Sequence, residues 1–508
     1  MLDRILYRLY YIDMVDSENA GNEIGVQLGQ DQPAYKAVGE HFERLINSGR
    51  LQPGDRLPTV RLLAERTGLN KATIVQGFSE LRRRGLVTSR PGRGTIVAAS
   101  PSAQSVPVAD RIQSLYRHLL PEPGWGSELP EYDFSALWPA PSMFPLDAFR
   151  RIHEKLMRGR PELLQYGSAQ GYHPLREYLE ERARRIGIGS GQAVVVQGSQ
   201  QGLDLIFRTF LNPGDAVAVE SPTYAGILPE LALHEARVLA VPMETDGLDV
   251  ASLQSLIRNE RIKLLYFMPN FQNPTGITMS EEKRNALARL AAATGTLLVE
   301  DDFEHDLRFS GRERRPVAGR MGSANVIYLS TFSKTLLPGL RMGWMIAPAA
   351  LAEPLVLAKQ YTDIHTSVLT QAAVNEFCRS GQYDRHLVRL RREYRKRLDG
   401  ARRTLALHMP DGSIWTEPDG GFSLWVTLPE GYDSSVLSSE AVSRGVHLWP
   451  GSRFYPGGRG GERSFRLSLS LASEQEIAAG IAILGKLLRV RRAARRARAN
   501  DARNILFL

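Results

Sequence analysis

The feature that most constrains this chain is a series of short apolar segments between residues 132 and 488. Turn residues flank each segment, and the stretches between them are amphipathic with a helical period, so strands and helices are predicted to alternate. A strand that is apolar along its whole length is buried on both faces, as in a parallel sheet. We therefore predict an α/β fold with a mostly parallel sheet. The clearest strand segments lie at residues 193–196, 216–219, 263–267, 297–299 and 326–329.

Length and composition exclude several other classes. The chain has 508 residues, more than one ordinary domain, and its net charge of +9 suggests an anionic partner. The single cysteine, Cys378, rules out a disulfide framework and a cysteine-rich metal site, and no metal site is predicted. No apolar run is long enough to span a membrane, and charges within residues 1–15 argue against a signal peptide. A cytoplasmic protein is expected.

Changes in composition divide the chain into five segments. Residues 1–30 are an extension, either a helical addition or the product of a misassigned start codon, and residues 31–98 carry twelve Lys and Arg against six Asp and Glu. Residues 99–130 begin with a stretch rich in Ser, Pro, Ala and Gln, which is typical of a linker. Residues 131–490 form the predicted α/β domain. Residues 491–508 are a basic tail, expected to end a solvated helix.

The basic segment 31–98 predicts three helices and a hairpin. Thr59 and Asn70 stand where N-caps are expected, and Gly68 and Gly85 end the second and third helices. Two short strands joined by a Pro-Gly turn follow. This order indicates a winged helix, which reads DNA with the start of its last helix and neutralises phosphates with cations. The predicted helices cover residues 34–47, 60–67 and 71–84.

Double-stranded DNA is the predicted partner of this segment. The stretch PGDRLPTVRLLAERTGLNKATIVQGFSELRRRGLVTSRPGRGTIV resembles the GntR-type winged helix. The resemblance implies that Arg61, Lys71, Thr73 and Gly92 match positions that contact DNA in that family. Val75 departs from the pattern, because some members place a basic residue there. The full set of predicted DNA-binding residues is Arg56, Arg61, Asn70, Lys71, Thr73, Arg90, Gly92 and Arg93.

A second group of polar residues follows the predicted strands of the α/β domain. Lys334 stands in STFSKTLLPGLRMGW, Asp301 stands in LLVEDDF with Asp302 as its rival, and VVVQGSQQGLDL turns from a strand into a helix. Pyridoxal phosphate needs a lysine for its aldehyde, an acid for its ring nitrogen, an aromatic ring on its face, and donors with a cation for its phosphate. The candidates for the first three roles are, in that order, Lys334, Asp301 and Tyr224, and Asn273 is the candidate for the ring hydroxyl. The residues predicted to bind the phosphate are Gly198, Ser199, Gln200, Ser333 and Arg341.

These segments together resemble fold type I, the aspartate-aminotransferase superfamily, over about 350 residues from YDFSALWPAPSMFP to FRLSLS. The resemblance implies that Tyr166, in QYGSAQGYHPLREYL, reaches the phosphate in the partner subunit's site. It also implies that Arg466 grips a substrate or effector carboxylate with its planar fork. Phe303 departs from the pattern, because many relatives place there a tyrosine that bonds the ring oxygen. We expect this loss to impair transamination but not cofactor binding.

A winged helix, a linker and an aminotransferase-like domain in this order are similar to the MocR/PdxR subgroup of GntR regulators. The resemblance implies a head-to-tail homodimer, for which a linker of about 30 residues is long enough. The expected function is regulation of transcription, in which a small amine or amino-acid effector displaces Lys334 and forms an external aldimine. Two alternatives stay open. One is an active aminotransferase that also binds DNA, and the other is a regulator that senses pyridoxal phosphate itself.

Overall fold

The computed structural model describes residues 33–47, 51, 54–90, 94–98, 130–321 and 323–505, with residues 47, 90, 323 and 491–505 described as backbone only. The predicted extension and nearly all of the predicted linker lie outside these residues. The chain divides into two compact units, Met1–Leu120 and Pro121–Leu508. Among the described helices, none combines the length and the apolarity that a membrane crossing requires.

The first unit is a winged helix, as predicted. Thr59 Oγ1 accepts a hydrogen bond from Leu62 N at 3.2 Å, and Asn70 Oδ1 accepts one from Thr73 N at 2.8 Å, so both predicted N-caps satisfy open donors of a first helical turn. Gly68 ends the second helix in the left-handed conformation that glycine tolerates. The elements are α1 (Ala34–Asn47), α2 (Val60–Thr67), α3 (Lys71–Arg83) and the antiparallel strands β1 (Val87–Arg90) and β2 (Gly94–Val97).

A single apolar core holds the winged helix together. Phe42 of α1 packs edge-on against Phe78 of α3, with ring centroids 5.5 Å apart. Ile74 and Leu81, on the same face of α3, are fully buried, as their helical spacing predicts. The opposite face of α3 is left to solvent, where Val75 is 49% exposed.

The second unit is built around an eight-stranded sheet. Its strands, in chain order, are β4 (Gln192–Val196), β5 (Ala216–Ser221), β6 (Arg237–Glu244), β7 (Gly247–Leu248), β8 (Leu264–Phe267), β9 (Leu297–Asp301), β10 (Val326–Thr331) and β11 (Gly343–Ala347). Their order in the sheet is β4-β11-β10-β9-β8-β5-β6-β7. β11 and β7 run opposite to the other six strands, which all point the same way. This confirms the mostly parallel sheet.

A smaller sheet and a set of helices complete the second unit. The smaller sheet is antiparallel, in the order β12 (Ile414–Trp415), β13 (Ser423–Thr427), β16 (Ser464–Ser468) and β15 (Trp449–Pro450), and β3 (Tyr132–Asp133) pairs in parallel with β14 (Val446–His447). The helices are α4 (Leu146–Gly159), α5 (His173–Arg185), α6 (Ser199–Phe210), α7 (Ile227–Leu233), α8 (Val250–Glu260), α9 (Glu281–Thr294), α10 (Ala349–Asp363), α11 (Val368–Arg379), α12 (Gln382–His408), α13 (Ser434–Val442) and α14 (Glu474–Ile505). The last helix runs without a break across the predicted boundary at residue 490.

Helices cover both faces of the large sheet. Val217 and Val219 of β5 pack into one apolar cluster with side chains of α6 and α10. Ala216 and Ala218 of the same strand belong to a second cluster with side chains of α8 and α9. This division follows from the pleat, which turns successive side chains to opposite faces. With both faces covered, the carboxyl ends of the parallel strands are left as the natural place for a ligand crevice.

Candidate functional site

Five strands deliver the predicted site residues to one edge of the large sheet. Gly198 follows β4, Tyr224 follows β5, Asn273 follows β8, Asp301 ends β9, and Lys334 follows β10. All five strands run in the same direction, so their carboxyl ends lie at the same edge. The fold therefore gathers residues that are widely separated in the sequence.

Lys334 is partly buried in the turn after β10. Its Nζ donates to the carbonyl of Leu137 at 2.6 Å and lies 5.8 Å from the centroid of the Phe303 ring. Burial raises the pKa of Asp301 to about 7 and that of Glu304 to about 8, and the Lys334 ammonium opposes both increases. The Lys334 charge thus favours the ionised form of both buried carboxyl groups.

The two adjacent aspartates at the end of β9 differ in their surroundings. Asp302 accepts hydrogen bonds from Asn270 Nδ2 at 2.9 Å and from the Tyr328 hydroxyl at 3.1 Å, and it lies 2.8 Å from His305 Nδ1. Burial alone would raise the pKa of Asp302, but the neighbouring His305 charge and these hydrogen bonds bring it below its usual value. Asp302 is therefore an ionised group that the protein satisfies internally.

Asp301 keeps one acceptor open. Its Oδ2 accepts a hydrogen bond from the Tyr266 hydroxyl at 2.8 Å, whereas its Oδ1 is buried without a hydrogen-bond partner among the described residues. An unmet acceptor in such a place costs free energy, so it indicates a donor that the protein itself does not supply. A protonated ring nitrogen would be such a donor.

The candidate phosphate cradle lies at the start of α6. Gly198 has a φ of +82°, which residues with a side chain rarely adopt, and a Cβ there would come within 2.6 Å of Arg341 Nη2 and displace that guanidinium. The same Nη2 donates to the Gln197 carbonyl at 3.1 Å. The Ser333 hydroxyl accepts from Thr331 Oγ1 at 3.0 Å. Arg341 and the open backbone donors of the helix N-terminus, which begins at Ser199, form a combination that favours an anion.

The side chain of Gln200 is engaged within the protein. Its Nε2 donates to Glu230 Oε2 at 2.6 Å, and its Oε1 accepts from the Tyr224 hydroxyl at 3.5 Å. The amide thus orients the aromatic residue that was predicted for the ring face. A phosphate contact by Gln200 would have to come from its backbone.

Asn273 and Arg466 contact each other. Arg466 Nη1 donates to Asn273 Oδ1 at 3.0 Å, Nη2 donates to the Ser135 carbonyl, and the guanidinium lies 5.1 Å from the centroid of the Phe454 ring. Both residues are buried. The structure therefore brings together the candidates for the ring hydroxyl and for an effector carboxylate.

Tyr166 lies at the surface of the single chain. Its side chain is 82% exposed, and its ring packs edge-on against His365 with centroids 5.7 Å apart. A tyrosine in this position is available to a second molecule.

Sequence reasoning missed several residues of the site. Tyr266, which bonds Asp301, is the one polar side chain in the apolar strand β8, and that position was the available signal. Glu304 directly follows the two aspartates and Phe303, and its full burial had no signal in the sequence. Fully buried Lys359 bonds both carboxylate oxygens of Asp363, at 2.6 and 2.8 Å. The same carboxylate accepts from two side chains of the cradle turn, Gln197 and Gln201.

The candidate DNA-binding residues of the winged helix fall into two groups. Arg56 and Lys71 are exposed, and Arg61 is exposed beside Glu65, to which its Nε donates at 3.0 Å. Asn70 and Thr73 are engaged with each other, because Asn70 Oδ1 caps α3 and also accepts from the Thr73 hydroxyl at 3.1 Å. On the wing, Arg90 is described as backbone only, and Gly92 and Arg93 lie outside the described residues.

Both units match families of known proteins. The model of aminotransferase class I and II matches residues 144–484, and the model of bacterial regulatory proteins of the gntR family matches residues 34–97. Aromatic-amino-acid aminotransferase 1 of Thermococcus litoralis is 36% identical over 69% of this chain and 86% of its own length. The probable rhizopine catabolism regulatory protein MocR of Rhizobium meliloti is 30% identical over 83% of this chain and 87% of its own length.

A solved relative supports the same assignment for the second unit. The kynurenine aminotransferase of Pyrococcus horikoshii, in complex with PMP, superposes with a TM-score of 0.69 at 34% identity, covering 77% of this chain and 97% of its own. That match does not cover the whole chain. At the N-terminus, residues 34–97 match the gntR family instead. The chain therefore belongs to the aminotransferase class I and II family, among the MocR-like regulators that carry this domain behind a GntR-type DNA-binding domain.

Proposed function

We propose that this protein is a transcription regulator that binds an operator through its winged helix and senses a small amine or amino acid in its pyridoxal-phosphate domain. The observation that carries the proposal is the open Oδ1 of Asp301, buried at the sheet edge that also carries Lys334. It occurs in a chain whose other unit is built to read DNA. Effector sensing in the second unit would control DNA binding by the first unit.

The residues around Lys334 fit pyridoxal phosphate. The aldehyde of this cofactor condenses with primary amines, so one amine can replace another on the same carbon. Lys334 would supply the resident amine, and Asp301 Oδ1 would accept from the ring nitrogen. The start of α6 and Arg341 would hold the phosphate, since that helix end offers open backbone donors beside a cation. Because Gly198 has no Cβ, the Arg341 guanidinium can lie beside the start of this helix.

Arg466 gives the pocket a preference for a carboxylate. Its Nη1 contacts Asn273, so an incoming carboxylate would exchange one oxygen partner for another without leaving a buried charge unmet. Tyr224 would lie on the ring face, held by Gln200. An amino acid would then be bound at two points, by its amine and by its carboxylate.

A head-to-tail dimer is supported by the surface around Tyr166. The ring of Tyr166 contacts His365, and the preceding residues Tyr361 and Ile364 are 84% and 55% exposed. Neighbouring exposed apolar groups of this size are typical of interaction surfaces. In such a dimer Tyr166 would complete the phosphate cradle of the partner.

Operator binding with and without effector tests the proposal. The cofactor-loaded protein is titrated with labelled operator DNA in the presence of single amino acids and amines. An effector shifts operator affinity only by its difference in affinity for the two states, and a typical coupling of about 1–3 kcal/mol corresponds to roughly 5–150-fold. Lys334→Ala is expected to abolish the shift, whereas exposed Lys263→Ala should retain it. An undiminished shift in Lys334→Ala would refute covalent sensing.

A second candidate function is aminotransferase turnover. The 36% identity to aromatic-amino-acid aminotransferase 1 favours it, and the apolar Phe303 beside Lys334 argues against efficient turnover. Release of a keto acid, with conversion of the cofactor to its amine form, would establish this activity. A change in operator affinity on adding pyridoxal phosphate alone would instead favour sensing of the cofactor.

A further inference from the structure

Glu304 is a fully buried acid to which the roles assigned above give no part. Its Oε2 accepts a hydrogen bond from the Phe422 backbone at 3.2 Å. Its Oε1 is buried and has no hydrogen-bond partner within the described part of the chain. The contact to Phe422 gives one oxygen a structural role. The other oxygen remains available to exchange a proton or to accept a hydrogen bond.

Charged and titratable groups from four elements interact electrostatically with this carboxyl group. Lys334 comes from the turn after β10, Asp301 from the end of β9, Arg466 from β16 and Tyr394 from α12. Burial raises the pKa of Glu304 to about 8, against the opposing effects of the Lys334 ammonium, the Phe422 hydrogen bond and the Arg466 guanidinium. Glu304 directly follows Phe303, whose ring centroid lies 5.8 Å from Lys334 Nζ, and its carboxyl group is subject to the charges of both the lysine and the arginine assigned to the effector carboxylate.

Exchange of amines at this site requires proton transfer, which a neighbouring acid can mediate. A free amino acid arrives as an ammonium ion, which cannot attack carbon until it loses a proton. The departing lysine must in turn gain one. An acid with a pKa near the working pH performs both transfers best, because neither protonation state is then strongly favoured. Phe303 carries no titratable group, so it cannot serve.

We propose that Glu304 carries a proton between the incoming effector ammonium and Lys334. An N–H bond of the effector breaks and its proton moves to Glu304 Oε1. The freed amine forms a bond to the carbon that Lys334 holds. The two hydrogens left on the effector nitrogen pass to the lysine nitrogen as the double bond between carbon and nitrogen is exchanged. The bond between that carbon and Lys334 then breaks, and the lysine takes its third proton from Glu304. One ammonium enters and another is left on the protein, so charge and protons balance without a further reactant. The inference rests on the proposed function.

Two amines that differ in charge provide the test. Glycine is an ammonium ion at neutral pH, whereas methoxyamine is uncharged and needs no base to attack. Their reactions with cofactor-loaded wild type and Glu304→Gln are followed by stopped-flow absorbance from pH 6 to 9. Glutamine keeps the acceptor for Phe422 but cannot carry a proton. We expect glycine exchange to slow about 100-fold or more and to lose its pH dependence near neutrality. Methoxyamine should be affected far less, and Glu304→Asp should recover part of the rate.

A second measurement does not need the cofactor. Reductive methylation of Lys334 by formaldehyde and cyanoborohydride, followed by mass spectrometry, reports the pKa of its amine in the cofactor-free protein. Loss of the neighbouring anion in Glu304→Gln should lower that pKa by about 1–3 units. If Glu304→Gln does not retain the cofactor, the pKa of Lys334 measured in this way still tests the inference.

Three outcomes separate the inference from its foundation. Equal glycine rates with equal pH profiles in wild type and Glu304→Gln would overturn the proton-carrier role. An unchanged pKa of Lys334 in the methylation experiment would overturn it as well. If borohydride traps no adduct at Lys334 in wild type, the proposed function itself fails. The methylation result would then still show whether Glu304 acts on the lysine.

Discussion

Replacement of Asp301 by asparagine should stabilise the cofactor-free protein at alkaline pH, whereas the same change at Asp302 should destabilise it. Both side chains are buried at the end of β9, and the two substitutions are equal in size and chemistry. The opposite signs follow from their partners. Asp301 is buried with one oxygen unmet, and Asp302 is buried with every oxygen bonded.

The magnitude follows from the pKa of each group. Burial raises the pKa of Asp301 from 3.8 to about 7, so the folded chain holds this proton more tightly than the unfolded chain does. Between about pH 4 and pH 7 stability therefore falls as the pH rises, and the full cost remains above pH 7. This difference of about three between the pKa values of the folded and unfolded chain corresponds to about 4 kcal/mol of unfolding free energy as an upper limit. Asparagine can still accept the hydrogen bond from Tyr266, so the variant removes chiefly the charge.

The pKa of Asp302 leads to the opposite dependence. The His305 charge and the hydrogen bonds lower it despite burial, so its contribution to stability is present above about pH 4 and is lost as the pH falls through the folded value. Asp302→Asn should therefore lower the melting temperature at neutral pH and approach wild type in acid.

Thermal unfolding of the cofactor-free variants between pH 4 and pH 9 measures both effects. Because the chain forms two compact units, the winged helix is expected to melt in a transition of its own, which can be separated from the melt of the second unit. Melting shifts of the same sign for both variants at pH 8 would refute the reasoning. The same proteins test cofactor binding. Loss of a charged hydrogen bond costs about 1.5–3 kcal/mol, so Asp301→Asn should weaken pyridoxal-phosphate binding roughly 10- to 150-fold in an absorbance titration.

Three further predictions follow from single contacts. Asn70→Ala removes the cap of α3 and should destabilise the winged helix by about 1 kcal/mol, seen as a lower melting temperature of the winged-helix transition; an unchanged transition would contradict the capping role. Lys71→Gln should reduce the slope of log K against log salt by about 0.9 for operator binding, and an unchanged slope would remove this lysine from the phosphate contacts. Arg341→Met should weaken binding of pyridoxal phosphate but not of unphosphorylated pyridoxal. Equal losses for both ligands would show that its guanidinium does not hold the phosphate.

Local signals were sufficient to predict the winged helix. Thr59, Asn70 and Gly68 act within a few residues of themselves, through hydrogen bonds to the next turn or through their own backbone conformation. The spacing of Ile74 and Leu81 determined which face of α3 is buried. The wing tip, residues 91–93, lies outside the described residues.

The large sheet was predictable for a related reason. Strands buried on both faces have to be largely apolar along their length. This apolar pattern is present in β4, β5, β8, β9 and β10. The sequence could not reveal the strand order, in which β11 is inserted antiparallel between β4 and β10. Pairing partners are set by contacts between segments that are distant in the chain.

By itself, then, the sequence determined the two domain types, the reactive lysine and the set of candidate cofactor ligands, because each has a characteristic local pattern. Only the tertiary structure decided how the acids divide their roles. Asp301 and Asp302 are neighbours in the chain, yet the pleat points them to different partners, Tyr266 in one case and His305 in the other. Glu304 accepts a hydrogen bond from the Phe422 backbone and is subject to the charges of Lys334 and Arg466, which come from other segments. Burial and charge at a point where several segments meet are properties of the fold, so no single stretch of sequence contains them.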